Sequence, residues 1–76
     1  MVSMRSMTVL TVLEREVLAA SATGLTSAEV AEHLGVGAAI VRRALRSSIV
    51  ALGARSKLEA VIIALRSGLI DPHPTT

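Results

Sequence analysis

The chain has 76 residues, of which 51% are hydrophobic, none is aromatic and none is cysteine. A chain of this length supports one small core, and without cysteine that core gains nothing from disulfides or thiolate-bound metal. Aliphatic side chains alone pack more readily between helices than in a sheet, so the expected fold class is all-α. The apolar runs are too short for a membrane span, and no apolar stretch of signal-peptide length follows Arg5, so we expect a cytoplasmic protein.

The net charge of +2 is unevenly distributed along the chain. Residues 1–34 contain two arginines and four glutamates, a net charge of −2. From residue 35 to residue 57 every charged side chain is basic, namely Arg42, Arg43, Arg46, Arg55 and Lys57. Clustering of this kind favours phosphate binding, and the alternative is an ordinary solvated basic helix face.

Four helices are expected in chain order, over residues 11–23, 27–34, 38–52 and 56–67. Three of them begin with a capping-box pattern, in which a Ser or Thr hydroxyl accepts from an amide three residues later and a Glu at that position reaches back to the cap amide. The pairs are Thr11 with Glu14, Thr26 with Glu29, and Ser56 with Glu59. Leu25 and Val30 add a hydrophobic staple to the second pair.

Glycines mark the ends of the predicted helices, because a glycine tolerates the left-handed conformation that commonly ends a helix. They are Gly24, Gly35, Gly53 and Gly68. Residues 1–9 and 71–76, the latter with Pro72 and Pro74, have no helical period and are predicted to be loose. The predicted domain therefore covers residues 10–70.

The second and third predicted helices have the spacing of a helix-turn-helix. Two helices joined by a short glycine-containing turn can pack at a steep angle, which leaves the second helix free to enter the DNA major groove. On that helix the 3, 4 and 7 spacings put four residues on one face, namely Val41, Leu45, Ser48 and Leu52. Arg43, Ser47 and Val50 lie on the opposite, outer face. Arg42 and Arg46 lie beside this outer face. Arginine can bond guanine edges bidentately or clamp phosphate, so the pattern predicts a DNA-reading helix.

Residues 10–70 resemble the C-terminal DNA-binding domain of the LuxR family, which NarL-type response regulators share. The resemblance rests on Leu10-Thr11, Glu14-Arg15-Glu16-Val17-Leu18, Gly24-Leu25-Thr26, Glu29-Val30-Ala31, Leu34, Val41-Arg42, Leu52-Gly53, Arg55-Ser56, Glu59-Ala60-Val61 and Gly68-Leu69-Ile70. It implies a compact four-helix effector domain whose third helix reads the major groove and whose fourth often pairs two copies. The chain departs from the family pattern at Leu13, Gly37, Ile40, Ala44, Ser48 and Ala51; at Gly37 and Ile40 it lacks hydroxyls that cap a helix or touch phosphate.

The predicted DNA contacts come from three places in the chain. They are Thr26 and Ser27 at the start of helix 2, Ala39, Arg42, Arg43, Arg46 and Ser47 on helix 3, and Arg55 and Lys57 around the start of helix 4. The free amides at the start of helix 2 can receive a phosphate oxygen, although helix capping is the structural alternative there. Cations at the start of helix 4 oppose the helix dipole, which indicates a phosphate neighbour.

The fourth helix is too apolar for the surface of a monomer. Ala60, Val61 and Ala64 can close the core, whereas Leu58, Ile62 and Leu65 form a second stripe, offset from the first. An exposed aliphatic stripe marks a partner surface, and two-fold pairing is its simplest use. The sequence therefore predicts a homodimer through this stripe, with docking of a sensor or receiver domain absent from this chain as the alternative.

Nothing in the sequence indicates catalysis, a cofactor or a metal site. None of the candidate acidic or histidine side chains has metal-ligand spacing or a nucleophile beside it. We therefore interpret Glu14, Glu16 and Glu32 as surface or ion-paired groups. We interpret His33 as a partly exposed helix residue and His73 as part of the tail. The predicted function is that of a DNA-binding transcription regulator. Two alternatives stay open: a protein-interaction module with the same fold and weak or no DNA binding, and a domain like region 4 of a sigma factor, which explains the Gly68-Leu69-Ile70 ending less well.

Overall fold

The computed structural model describes residues 10–71, which contain four helices and no strand. The helices are α1 (Val12–Ala22), α2 (Ser27–Leu34), α3 (Ala38–Ala51) and α4 (Lys57–Arg66). The predicted all-α class is confirmed, and each helix boundary lies within one residue of its predicted position. Of the segments predicted to be loose, residues 1–9 and 71–76, only Asp71 is described, and it lies outside any helix. The rest, His73 among them, lies outside the described residues. Within the described part, no helix is long and apolar enough to cross a membrane.

Helices α1 and α3 form the centre of the fold. Each of them packs against all three other helices, whereas α2 and α4 lie apart from each other. The core takes side chains from all four helices and from both ends of the domain, and consists of Leu10, Val17, Leu18, Val30, Ala31, Val41, Ala44, Leu45, Ala60, Val61, Ala64 and Ile70. Because three helices hold α3, its position is fixed and only its outer face is free.

Two of the three predicted capping boxes form as expected. The amide of Thr11 donates to Glu14 Oε1 at 2.9 Å and the amide of Glu14 donates to Thr11 Oγ1 at 3.1 Å. The corresponding distances between Thr26 and Glu29 are 2.8 and 3.2 Å. Glu14 was expected at the surface or in an ion pair, and this expectation was wrong: its side chain is only 9% exposed and is held by the cap.

The third box is incomplete, which corrects the prediction at the start of α4. Ser56 Oγ does accept from the amide of Glu59, at 3.1 Å. The Glu59 carboxylate, however, accepts from the amide of Arg55 at 2.6 Å. The backbone explains the difference, because Ser56 has φ −157°, whereas Thr11 and Thr26 have φ −73° and −74°.

The predicted glycine stops are confirmed, since all four glycines that follow a helix have positive φ. At the helix-turn-helix, Gly35 has φ 72° and ends α2, and the Val36 amide then donates to the Ala31 carbonyl at 3.0 Å. This bond is the six-to-one bond of a Schellman motif. The turn is therefore fixed at the end of α2 and sets the direction in which α3 leaves α2.

Candidate nucleic-acid interface

Helix α3 has one buried face and one exposed face, as its periodicity predicts. Val41, Leu45 and Ser48 are buried, and Leu52, just past the helix end, is half-buried against the core. The exposed side chains are Ala39, Ile40, Arg42, Arg43, Arg46, Ser47, Val50 and Ala51. All of the α3 residues predicted to contact DNA therefore lie on the solvent side of the helix.

The exposed face of α3 is basic. Arg43, Arg46 and Ser47 line a shallow groove on this face together with Val50 and Ala51. The sequence from residue 35 to residue 57 contains no acidic side chain that would offset these charges. Guanidinium groups exposed in this way can turn toward phosphate oxygens or guanine edges without losing an intramolecular partner from their own helix.

The first turn of α3 differs from the other helix starts. Gly37 is the N-cap residue and makes no side-chain cap bond. Ile40 follows in the same turn and is 46% exposed. It lines a groove with Arg43 and Ser47, and residues at the start of α1 form the other wall. In the sequence Ile40 stands out only as a missing hydroxyl, although its spacing of three from Arg43 places it beside the arginine stripe.

The start of α2 is already occupied in part by its own cap. The Glu29 carboxylate accepts from the Thr26 amide, so this amide is not free for a phosphate. Thr26 is exposed and Ser27 is half-buried. The Ser27 and Ala28 amides belong to the first turn, where the helix itself supplies no acceptor. A phosphate at this position would be bound by these two amides and by the Thr26 hydroxyl, with Glu29 nearby as an opposing charge.

Arg55 and Lys57 follow α3 in the chain, in the loop and the first turn of α4, and both are exposed. The backbone amide of Arg55 is bonded to Glu59, and this contact orders the loop while its guanidinium remains at the surface. Lys57 is the first residue of α4, where the helix dipole disfavours a cation. The location of both side chains is compatible with the predicted phosphate contacts.

The apolar stripe predicted on α4 is only partly exposed. Leu58 is 69% exposed and Ile62 is 39% exposed. Leu65 is half-buried and packs against the core, because it lies at the edge of the face formed by Ala60, Val61 and Ala64. The open part of the stripe is therefore Leu58 and Ile62. Both side chains line a shallow groove, which three charged residues also line, namely Arg55, Glu59 and Arg66.

A separate cavity of ≈ 420 Å³ lies between α1 and the end of α2. Its lining is mostly apolar, with Glu16 and His33 as its two ionisable residues. His33 is exposed. Among residues 10–71, no group of three or more His, Cys, Asp or Glu side chains is placed so that it could share a metal ion.

Comparison with known proteins identifies the fold. No family model matches the chain. The solved structure of the transcription factor GerE superposes with a TM-score of 0.82 at 23% sequence identity, covering 87% of this chain and 98% of GerE. This likeness confirms the predicted four-helix fold. The fold and the arginine-bearing face of α3 thus define a helix-turn-helix domain.

A curated relative has higher sequence identity. The HTH-type transcriptional activator RamA of Corynebacterium glutamicum is 42% identical over 69 residues, which make up 91% of this chain. The same residues make up only 25% of the length of RamA, so the chain spans about a quarter of this relative.

Proposed function

We propose that this chain binds double-stranded DNA and regulates transcription, with α3 in the major groove. The observation that carries the proposal is the exposed face of α3, where Arg42, Arg43 and Arg46 stand opposite a fully packed face in a stretch without acidic residues. A helix held rigidly by three others and basic on its free side suits insertion into the groove. The likeness to GerE and RamA, both named as transcription regulators, supports the same role, and this role carries with it the predicted cytoplasmic location.

In this proposal the contacts divide into two classes. Arg43 and Arg46, flanked by Ala39, Arg42 and Ser47, lie where a major-groove helix meets base edges. Thr26, Ser27, Arg55 and Lys57 lie outside α3 and are assigned to phosphates, which fix the position of the domain on the duplex without specifying sequence.

We further propose that two copies pair through α4. The aliphatic side chains Leu58 and Ile62 are 69% and 39% exposed in one copy and would be covered in a two-fold pair. In an antiparallel pairing centred on Ile62, Glu59 of one copy lies near Arg66 of the other, so the surface is complementary to itself in charge. A sensor or receiver domain joined to this chain is the alternative occupant of the surface.

The test is an anisotropy titration of the 76-residue chain against a promoter library at two salt concentrations. Replacing Arg42, Arg43 and Arg46 together with alanine should weaken binding severely, and each lost phosphate contact should lower the magnitude of the salt slope by about 0.9. The matched control is Arg15→Ala, which removes one arginine from α1. Circular dichroism should give the same helical content for every variant.

Unchanged affinity and salt dependence in the folded triple variant would refute DNA reading by α3. The second candidate function, a protein-interaction module with the same fold, is favoured by the aliphatic side chains of Ile40 and Val50 on the basic face, which are 46% and 76% exposed. It predicts no saturable DNA binding by the parent chain at either salt concentration.

A further inference from the structure

Two large aliphatic side chains are exposed on the same helix as the arginines. Ile40 is 46% exposed and Val50 is 76% exposed. A β-branched residue lowers helix propensity, and an exposed one regains little of this cost through packing. Ile40 lies in the first turn of α3 and lines a groove with Arg43 and Ser47. Its side chain is therefore at the edge of the basic face, at the helix end that enters the groove first.

The composition of the chain limits how α3 could recognise an A·T pair. Adenine is most specifically recognised by the side-chain amide of Asn or Gln, which bonds its N6 and N7 together. The chain contains neither residue. Guanine can still be read by arginine, but an A·T pair offers this helix no bidentate amide contact, which leaves single hydrogen bonds from a hydroxyl or a guanidinium and the thymine 5-methyl group. An aliphatic side chain is the group that suits the methyl.

We propose that Ile40 recognises thymine by contact with its 5-methyl group, beside a guanine that Arg43 bonds. This inference rests on the proposed DNA-binding function and adds the base that α3 recognises at A·T pairs. Side chains three apart on a helix are separated by about 5–6 Å, and the bases of one strand rise by about 3.4 Å per pair. The thymine and the guanine should therefore lie within one or two base pairs of each other in each half-site.

The experiment uses duplexes selected by the parent chain from a randomised pool. Each thymine in a selected duplex is replaced in turn by deoxyuridine, which lacks only the methyl group. At one position in each half-site, deoxyuridine should weaken binding by the parent chain about fourfold, the loss expected for one buried methyl group. The Ile40→Ala variant should bind the thymine and deoxyuridine duplexes equally well.

Val50→Ala is the matched control, because it also trims an exposed aliphatic side chain of α3. It should keep the fourfold preference, and circular dichroism should show equal helicity in both variants. The inference is overturned if the parent chain binds DNA but does not distinguish the duplexes, or if Ile40→Ala still distinguishes them. If selection enriches no sequence, equal binding of whole pools made with thymine or with deoxyuridine overturns it as well. Absence of binding to any pool would overturn the proposed function itself, and this inference with it.

Discussion

Ser48 Oγ donates a hydrogen bond to the carbonyl oxygen of Ala44 at 2.7 Å, inside the core and with no exposed surface. This bond explains how a serine can occupy a fully buried position among aliphatic side chains. Ser21 in α1 is also buried, at 9% exposure, but its Oγ has no partner within the described residues. Two serines in similar helical surroundings thus differ in one hydrogen bond.

The first prediction compares Ser21→Ala with Ser48→Ala. Ser21→Ala removes an unbonded buried hydroxyl and should stabilise the fold by about 1 kcal/mol. Ser48→Ala also gains helix propensity, because alanine favours a helix more than serine does, but it loses a hydrogen bond with a net value of about 0.5–1.5 kcal/mol. The gain and the loss offset each other, so the free energy of unfolding of Ser48→Ala should stay within about 0.5 kcal/mol of the parent value. Urea unfolding measures the stability of both variants as a shift of the transition midpoint, provided that the dependence of the unfolding free energy on urea concentration stays the same. Equal midpoints for the two variants would contradict the different bonding of the two hydroxyls.

The helix starts show which capping contacts a sequence pattern can predict and which it cannot. The pairs Thr11 with Glu14 and Thr26 with Glu29 predicted capping boxes, and both are present. Ser56 with Glu59 has the same spacing of a hydroxyl residue and a glutamate, yet the Glu59 carboxylate bonds the Arg55 amide instead. The outcome depends on the φ angle of the cap residue, and packing of the preceding loop sets this angle. A local pattern cannot contain that information.

The faces of the helices could be predicted to within one edge residue. Periodicity correctly separated the buried face of α3 from its arginine face, but on α4 it placed Leu65 in the exposed stripe, whereas the structure packs it against the core. Whether a residue at the boundary between two faces is buried depends on the angle at which the neighbouring helices cross, and this crossing angle is a tertiary property.

The second prediction concerns the uncapped start of α3. Gly37 has φ −75° and ψ 150°, close to the values of Thr26, and apart from its two chain neighbours no residue would come within 4 Å of a Cβ at this position. Gly37→Ser should therefore add a cap and stabilise the fold by about 0.5–1 kcal/mol. Gly35→Ser is the matched control, since Gly35 has φ 72° and the same substitution there should destabilise by about 1 kcal/mol. Thermal unfolding measures both, and a shift of the same sign in the two variants would contradict the assignment.

The third prediction separates phosphate contacts from base contacts. Arg55→Ala and Lys57→Ala should each weaken binding to every duplex by a similar factor and lower the magnitude of the salt slope by about 0.9. Arg43→Ala should in addition cost about 1–3 kcal/mol at one base pair and relax the preference there. Titrations against single-base variants of a selected duplex at several salt concentrations provide the measurement. A change of base preference in Arg55→Ala or Lys57→Ala would contradict their assignment to phosphates.

The fourth prediction tests pairing through α4. Ile62→Glu puts a carboxylate at the centre of the proposed contact, opposite the same carboxylate of the second copy, so pairing should be lost. In a two-fold pair the recognition helices would lie about one DNA turn apart, ~34 Å, and the target would be an inverted repeat. Cooperative binding to a duplex with two half-sites should therefore disappear in Ile62→Glu, while binding to a single half-site and helical content stay near those of the parent.

Val12→Glu is the matched control for this prediction, because it makes the same change of charge at an exposed aliphatic residue on α1, at 63% exposure. It should lower affinity for the duplex slightly, through its charge, but leave cooperativity intact. Sedimentation of the complexes gives the number of copies per DNA directly. One copy per two-half-site duplex for both the parent and Ile62→Glu would rule out pairing through this surface. Leu58 and Ile62 would then be assigned to docking of a sensor or receiver domain, since two exposed aliphatic side chains on one helix face still require a partner to leave water.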